Sequence, residues 1–178
     1  MSGTGTTAMR LPSRLRALIL IAVVLDLRRL GRLVRKFTSE PSVEIVDVDG
    51  IAVEIVRPGG DGPWPAWVFI NGAHPERRRE PVVTRLSRGL ARAGFIVFVP
   101  DVPGLGEGTI TNGTLDAACT VARSAVEHPD VRRGRAALIG ASTGAGLALL
   151  TAADEQLADR ISVVAAVAPF ADLERMIC

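Results

Sequence analysis

A serine bracketed by glycines, at the point where an apolar strand pattern gives way to a helix pattern, constrains this chain more than any other feature. Ala136–Ile139 is a short apolar run, Gly140-Ala141-Ser142-Thr143-Gly144 follows, and Leu147, Leu149 and Leu150 are then spaced by alanines. Strand, sharp turn, helix is the context in which a G-x-S-x-G motif forms a nucleophile elbow. The turn must be tight, which places the serine in a strained backbone conformation with its Oγ exposed. Gly140 and Gly144 are expected at the two points where a Cβ would strike the neighbouring strand or helix. The new helix aims its N-terminal N–H groups at the reacting centre, where an oxyanion would form. Without this context the motif is only a glycine-rich turn in a chain with 18 glycines.

The flanking sequence supplies that context. Val43, Ile45 and Val48 alternate with Glu44 and Asp47, Asp49-Gly50 follows, and Ile51–Val56 is apolar, which predicts a hairpin. Pro58–Pro65 reads as a linker and Ala66–Ile70 as a short strand. The strand ends at Asn71-Gly72-Ala73-His74-Pro75 and a charged stretch, Glu76–Glu80. A helix is predicted from Pro81 to Gly94, a buried strand over Phe95–Val99, a glycine-rich loop over Pro100–Gly113 and a helix over Leu115–Val126. Ile161–Ala168 is another apolar strand, and Asp172 is placed to cap a helix beginning at Leu173. Apolar strands alternating with helices predict an α/β fold, a mostly parallel sheet covered on both faces. Right-handed crossovers then bring Asn71–His74, Asp101–Gly108, Ser142 and Pro169–Asp172 to one sheet edge. His128 falls at the opposite edge.

With 178 residues, 48% of them hydrophobic and 22% charged, the chain can bury one substantial core. The charge is uneven. Residues 1–40 hold eight Lys/Arg against two acids (+6), and residues 41–178 hold 13 against 17 (−4). The acidic body excludes a nucleic-acid footprint. Cys119 and Cys178 do not make a disulfide framework, and Cys119 falls on the apolar face of its helix. The sequence calls for no cofactor and no metal.

Residues 1–41 form a separate region, with 42–178 as the α/β body. Met1–Met9 is a Ser/Thr/Gly-rich tail, expected to be disordered. Arg10, Arg14 and Arg16 precede nine apolar residues, Ala17–Leu25. Beyond Asp26, Leu27, Leu30, Leu33, Val34 and Phe37 recur among Arg28, Arg29, Arg32, Arg35 and Lys36. This is a basic amphipathic helix pattern. The apolar run is well short of the roughly 20 residues of a membrane span. No small-residue cleavage site follows it, as a secretory signal would require. Two readings stay open: a helix lying on anionic lipid, or a helix packed on the body or on a partner chain. The expected location is cytoplasmic, peripheral at the membrane on the first reading.

The chain from about Ser42 onward resembles the α/β-hydrolase superfamily, particularly its dienelactone-hydrolase-like and small esterase branches. Three segments carry the resemblance. Gly140–Gly144 matches the elbow, Asn71-Gly72-Ala73 stands where the family has His-Gly-x after its third strand, and Pro100–Gly106 resembles its Asp-x-x-Gly-x-Gly segment. The resemblance implies a sheet of about eight strands, of which this sequence supplies six. It implies acyl transfer on a small ester-like substrate, with Ser142 as nucleophile and an oxyanion hole built from the Thr143 N–H and one from Gly72 or Ala73. Each such donor contributes about 3 kcal/mol. Dienelactone hydrolases use cysteine at the elbow, so Ser142 favours an esterase-like enzyme.

In this family an acid and then a histidine follow the nucleophile, and here no histidine follows Ser142. His74 lies on the correct edge, where it can shape the pocket or, with less support, replace the base. Asp101 and Asp172 are further pocket candidates, Asp101 more as a loop brace and Asp172 more as a helix cap. Three readings compete: a serine hydrolase whose C-terminal third is not in this sequence, a non-catalytic hydrolase-like binding protein, and a membrane-surface protein whose basic helix carries the function. The first is favoured, because a binding protein has no need of an exposed, strained serine.

The N-terminal segment has its own test. The full chain should bind anionic vesicles and be released by salt, because the +6 charge of residues 1–40 is screened beyond about 10 Å at 0.1 M salt. A chain beginning near Ser39 should lose that binding. Equal vesicle binding by both would leave the helix as a packing element.

Overall fold

A computed structural model of the protein describes residues 38–169. The N-terminal basic segment, Asp172 and Cys178 lie outside them. Six strands form one sheet: β1 (Ser42–Val48), β2 (Ile51–Arg57), β3 (Trp64–Ile70), β4 (Ile96–Pro100), β5 (Val131–Ala141) and β6 (Ile161–Val167). Three helices connect them: α1 (Pro81–Arg92), α2 (Asn112–Glu127) and α3 (Thr143–Ala152). The strand order is β1-β2-β4-β3-β5-β6. β3 runs parallel to β4 and β5, and β5 parallel to β6. The β1–β2 hairpin joins by an antiparallel pairing of β2 with β4. This is the expected α/β architecture.

Alternation within the central strands explains the two-faced core. Ile96 and Phe98 of β4 pack with Val68, Ile70 and Leu138 under α2 and α3, where Ala118, Val121, Ala122, Leu147 and Ala148 complete the layer. Val97 and Val99 point the other way and join Val56, Phe69, Val83 and Leu90 under α1. Cys119 is buried in the first cluster, and burial pushes its thiol pKa up, as expected of an inert thiol.

Element boundaries depart from the sequence reading in three places. β3 begins at Trp64, inside the expected linker, because Trp64 pairs with Val131 and its N–H donates to the Asp130 carbonyl (2.8 Å). The register shifts between Trp64 and Ala66, so Pro65 sits at an irregularity where its missing N–H is tolerated. α2 begins at Asn112 rather than Leu115. Thr111 and Thr114 cap it reciprocally, with the Thr111 N–H donating to Thr114 Oγ1 at 3.1 Å. β5 extends back to Val131 through the charged Arg132–Arg135 segment, whose Arg133 and Gly134 both have positive φ.

Among the described residues β6 is an edge strand. By alternation with Val164, which packs under α2 and α3, Val163 and Val167 lie on the other face, where they are 51% and 55% exposed. An uncharged apolar edge of this kind is a template for pairing with another chain. The 178-residue chain should therefore self-associate at micromolar concentration in size-exclusion chromatography. Val163→Lys with Val167→Lys should shift it toward monomer; an unchanged elution profile would exclude β6 as the contact.

Candidate active site

The C-terminal ends of β3, β4, β5 and β6 open on one edge of the sheet, and the chain segments leaving them touch. Ser142 leaves β5 with φ 52° and ψ −121° and begins α3 directly. A non-glycine residue with positive φ is strained, at a cost of about 1–3 kcal/mol. Ser142 occupies the N-cap position, yet its side chain makes no capping hydrogen bond and is exposed. The hydroxyl that most N-cap serines spend on their own helix is therefore free. The Thr143 N–H, at the first helical position, has no intrahelical acceptor, and the helix dipole adds positive potential there. The Ser142 N–H is fixed to β6 through the Val167 carbonyl at 2.9 Å.

The two motif glycines are where backbones meet. A Cβ on Gly140 would overlap the Gly144 carbonyl and the Ala145 Cα; one on Gly144 would overlap the carbonyl oxygens of Ile70 and Asn71. The first turn of α3 therefore lies against the end of β3. The Asn71–His74 loop continues over the elbow, where an added Cβ on Gly72 would come within 3.0 Å of the Ala141 carbonyl oxygen and 3.3 Å of Ser142 Cβ. Of this loop's N–H groups, that of Gly72 is taken, donating to Asn71 Oδ1 at 2.8 Å. Among the described residues the Ala73 N–H has no hydrogen-bond partner.

Asp101 is a brace. Its Oδ1 accepts from the Arg78 N–H at 3.1 Å, its Oδ2 pairs with the Arg78 guanidinium, and both side chains are largely buried. Its own N–H donates to the Ala52 carbonyl at 2.9 Å. The following loop is pinned by the burial of Val102 and Leu105. Its tip is tied back by a pair between Arg77 and Glu107. Arg77 and Arg78 belong to a 3-10 turn, Arg77–Arg79, inside the stretch that reads only as charged in sequence. Nothing in the spacing of three consecutive arginines signals that the middle one is buried against a carboxylate 23 residues away.

The histidines are placed differently. His74 lies on the site edge, but its Nδ1 accepts from the Glu76 N–H at 3.2 Å. That fixes the neutral ring as the Nε2–H tautomer, with its lone pair already engaged. His128 lies at the far edge, as expected. Its Nδ1 accepts from the Asp130 N–H (3.1 Å), its ring packs edge-on against Phe98, and burial pushes its pKa below the ordinary 6.5. No group of three His, Cys, Asp or Glu side chains that could hold a metal ion occurs among the described residues. No described helix is long and apolar enough to cross a membrane.

Residues 58–177 match the model of the Alpha/beta hydrolase family. No curated protein matches the chain. Solved structures with similar folds include brefeldin A esterase, a bacterial homologue of human hormone-sensitive lipase. It is 22% identical with a TM-score of 0.60, over 99% of this chain and 55% of that one. A hyperthermophilic esterase from the archaeon Pyrobaculum calidifontis is 20% identical with a TM-score of 0.63, over 91% of this chain and 60% of that one. A dienelactone hydrolase from Anabaena variabilis is 20% identical with a TM-score of 0.58, over 71% of this chain and 62% of that one. The chain thus spans less than two thirds of the length of each.

The backbone overlap at Gly144 makes a direct prediction. Gly144→Ala should destabilise the protein by about 3 kcal/mol or prevent folding, because the obstructing atoms are backbone carbonyls that cannot rotate away. Ala145→Gly, one position on, should cost only about 1 kcal/mol from helix propensity and a lost methyl. Urea unfolding monitored by tryptophan fluorescence separates the two; equal costs would refute the backbone contact.

Proposed function

The chain belongs to the alpha/beta hydrolase family, and from that premise we propose that it is a serine hydrolase acting on carboxylic esters or related acyl compounds, with Ser142 as its nucleophile. One observation carries the proposal: Ser142 is exposed at φ 52° at the head of α3, its hydroxyl uncommitted. Resemblance of fold to esterases and dienelactone hydrolases supports an ester-like substrate.

In this reading Ser142 Oγ attacks the substrate carbonyl carbon as a base takes its proton. The carbonyl electron pair moves onto oxygen, which receives hydrogen bonds from the Thr143 and Ala73 N–H groups. Collapse of the tetrahedral intermediate expels the alcohol, which takes the proton back, and water then cleaves the acyl-enzyme. Gly72 contributes close approach rather than a donor, because its N–H is already bonded. Asp101 contributes loop rigidity. Neither imidazole is set to be the base: His74 has its lone pair engaged, and His128 is at the wrong edge. Neither imidazole of this chain is therefore assigned as the base, which the family order places after the nucleophile. The unfilled base position also favours a second reading, a hydrolase-like protein that binds a small molecule without turning it over.

A serine-directed fluorophosphonate decides between them. Ser142 should be labelled slowly, because neither imidazole of this chain is set to take its proton, and Ser142→Ala should abolish labelling. Labelling that survives Ser142→Ala would remove the elbow from the mechanism. Rapid labelling of the 178-residue form, lost on His74→Gln, would make His74 the base. A chain that binds the reagent without ever reacting would favour the second reading.

A further inference from the structure

The Asn71 side chain is engaged at both ends beside Ser142. Its Nδ2 donates to the Arg77 carbonyl at 3.0 Å, and its Oδ1 accepts from the Gly72 N–H at 2.8 Å. The carboxamide donates at one terminus and accepts at the other; an ionised carboxylate cannot donate and an aliphatic side chain can do neither. Both attachment points are themselves fixed. The Asn71 carbonyl lies against Gly144 at the first turn of α3. The Arg77 carbonyl precedes Arg78, whose N–H and guanidinium are both held by the largely buried Asp101. A continuous set of bonds thus runs from the loop after β4, through Arg78 and Asn71, to the residue packed over Ser142 Cβ.

We propose that Asn71 is a positioning residue that sets the loop's oxyanion donor. By capturing the Gly72 N–H and tethering the loop to Arg77, its carboxamide holds the Ala73 N–H at a fixed height over Ser142 and keeps Gly72 out of the hole. The inference rests on Ser142 being the nucleophile. In the absence of this clamp, the loop can rotate about Gly72, which has no side chain to restrain it. The Ala73 donor then loses alignment with the developing oxyanion, an interaction that depends steeply on geometry.

The test uses the 178-residue chain, Asn71→Ala and Asn71→Asp, with two readouts. The first is amide hydrogen exchange at Gly72 by NMR. It should be protected in the parent chain and about tenfold faster in Asn71→Ala. Asn71→Asp keeps the acceptor and should retain most of that protection. The second is fluorophosphonate labelling of Ser142, resolved into a binding constant and a phosphonylation rate. The phosphonylation rate should fall about tenfold or more in both variants, with the binding constant and the unfolding midpoint unchanged. An unaltered phosphonylation rate in Asn71→Ala, or an unprotected Gly72 amide in the parent, overturns the assignment. A parent chain that never labels overturns the nucleophile reading instead; Gly72 exchange still decides by itself whether the clamp exists.

Discussion

The close approach of α3 to the end of β3, with no side chain between them, is the contact on which the site depends. Gly144 sits so near the Ile70 and Asn71 carbonyls that any Cβ would overlap them. With that contact in place, the helix can begin immediately above the strand ends, and Ser142 must turn through a left-handed conformation to connect β5 to it. The exposed hydroxyl, the free first-turn N–H of Thr143 and the apposed Gly72 all follow. The strain at Ser142 is offset by the apolar burial of α3, where Ala145, Leu147 and Ala148 are buried.

A second layer of order is polar and lies behind the first. Arg78 and Asp101 are largely withdrawn from solvent and face each other, and the backbone N–H of Arg78 adds a second bond to the same carboxylate. Desolvating two charges is costly, and such a pair stabilises a fold only when its geometry and added hydrogen bonds compensate. Its consequence here is positional: it ties the loop after β4 to the turn that Asn71 grips. Asp101 thus acts as a loop brace on the sheet edge that carries Ser142. Its oxygens are already engaged by Arg78.

The chemistry of the site is uneven in the same way. The exposed Ser142 hydroxyl, the Thr143 N–H and the Asn71–His74 loop come from adjoining backbone segments and are brought together by the fold of these residues. Both imidazoles of this chain, by contrast, spend their Nδ1 lone pairs on local N–H groups, at Glu76 and Asp130. The solved structures that share the fold are longer, this chain spanning 55–62% of the three compared.

Much of this was legible in the residues themselves. Periodicity located all six strands and three helices, because fully buried parallel strands read as apolar runs and amphipathic helices at a 3.6-residue spacing. Gly140 and Gly144 marked the elbow, since only a backbone collision demands glycine on both sides of a serine at a strand–helix junction. Strand limits near Trp64 and Val131 were not legible, because they depend on pairing partners 67 residues apart in sequence. Nor was the division of labour in Asn71-Gly72-Ala73. Which N–H is free and which is captured depends on where the Asn71 carboxamide finds the Arg77 carbonyl. Arg78 gave no signal at all, because burial of a charge is decided by what folds over it. Local chemistry thus determined the exposed serine and the strained turn that presents it, while only tertiary packing decided which polar groups remain free, because a hydrogen bond is settled by distance in space and not in sequence.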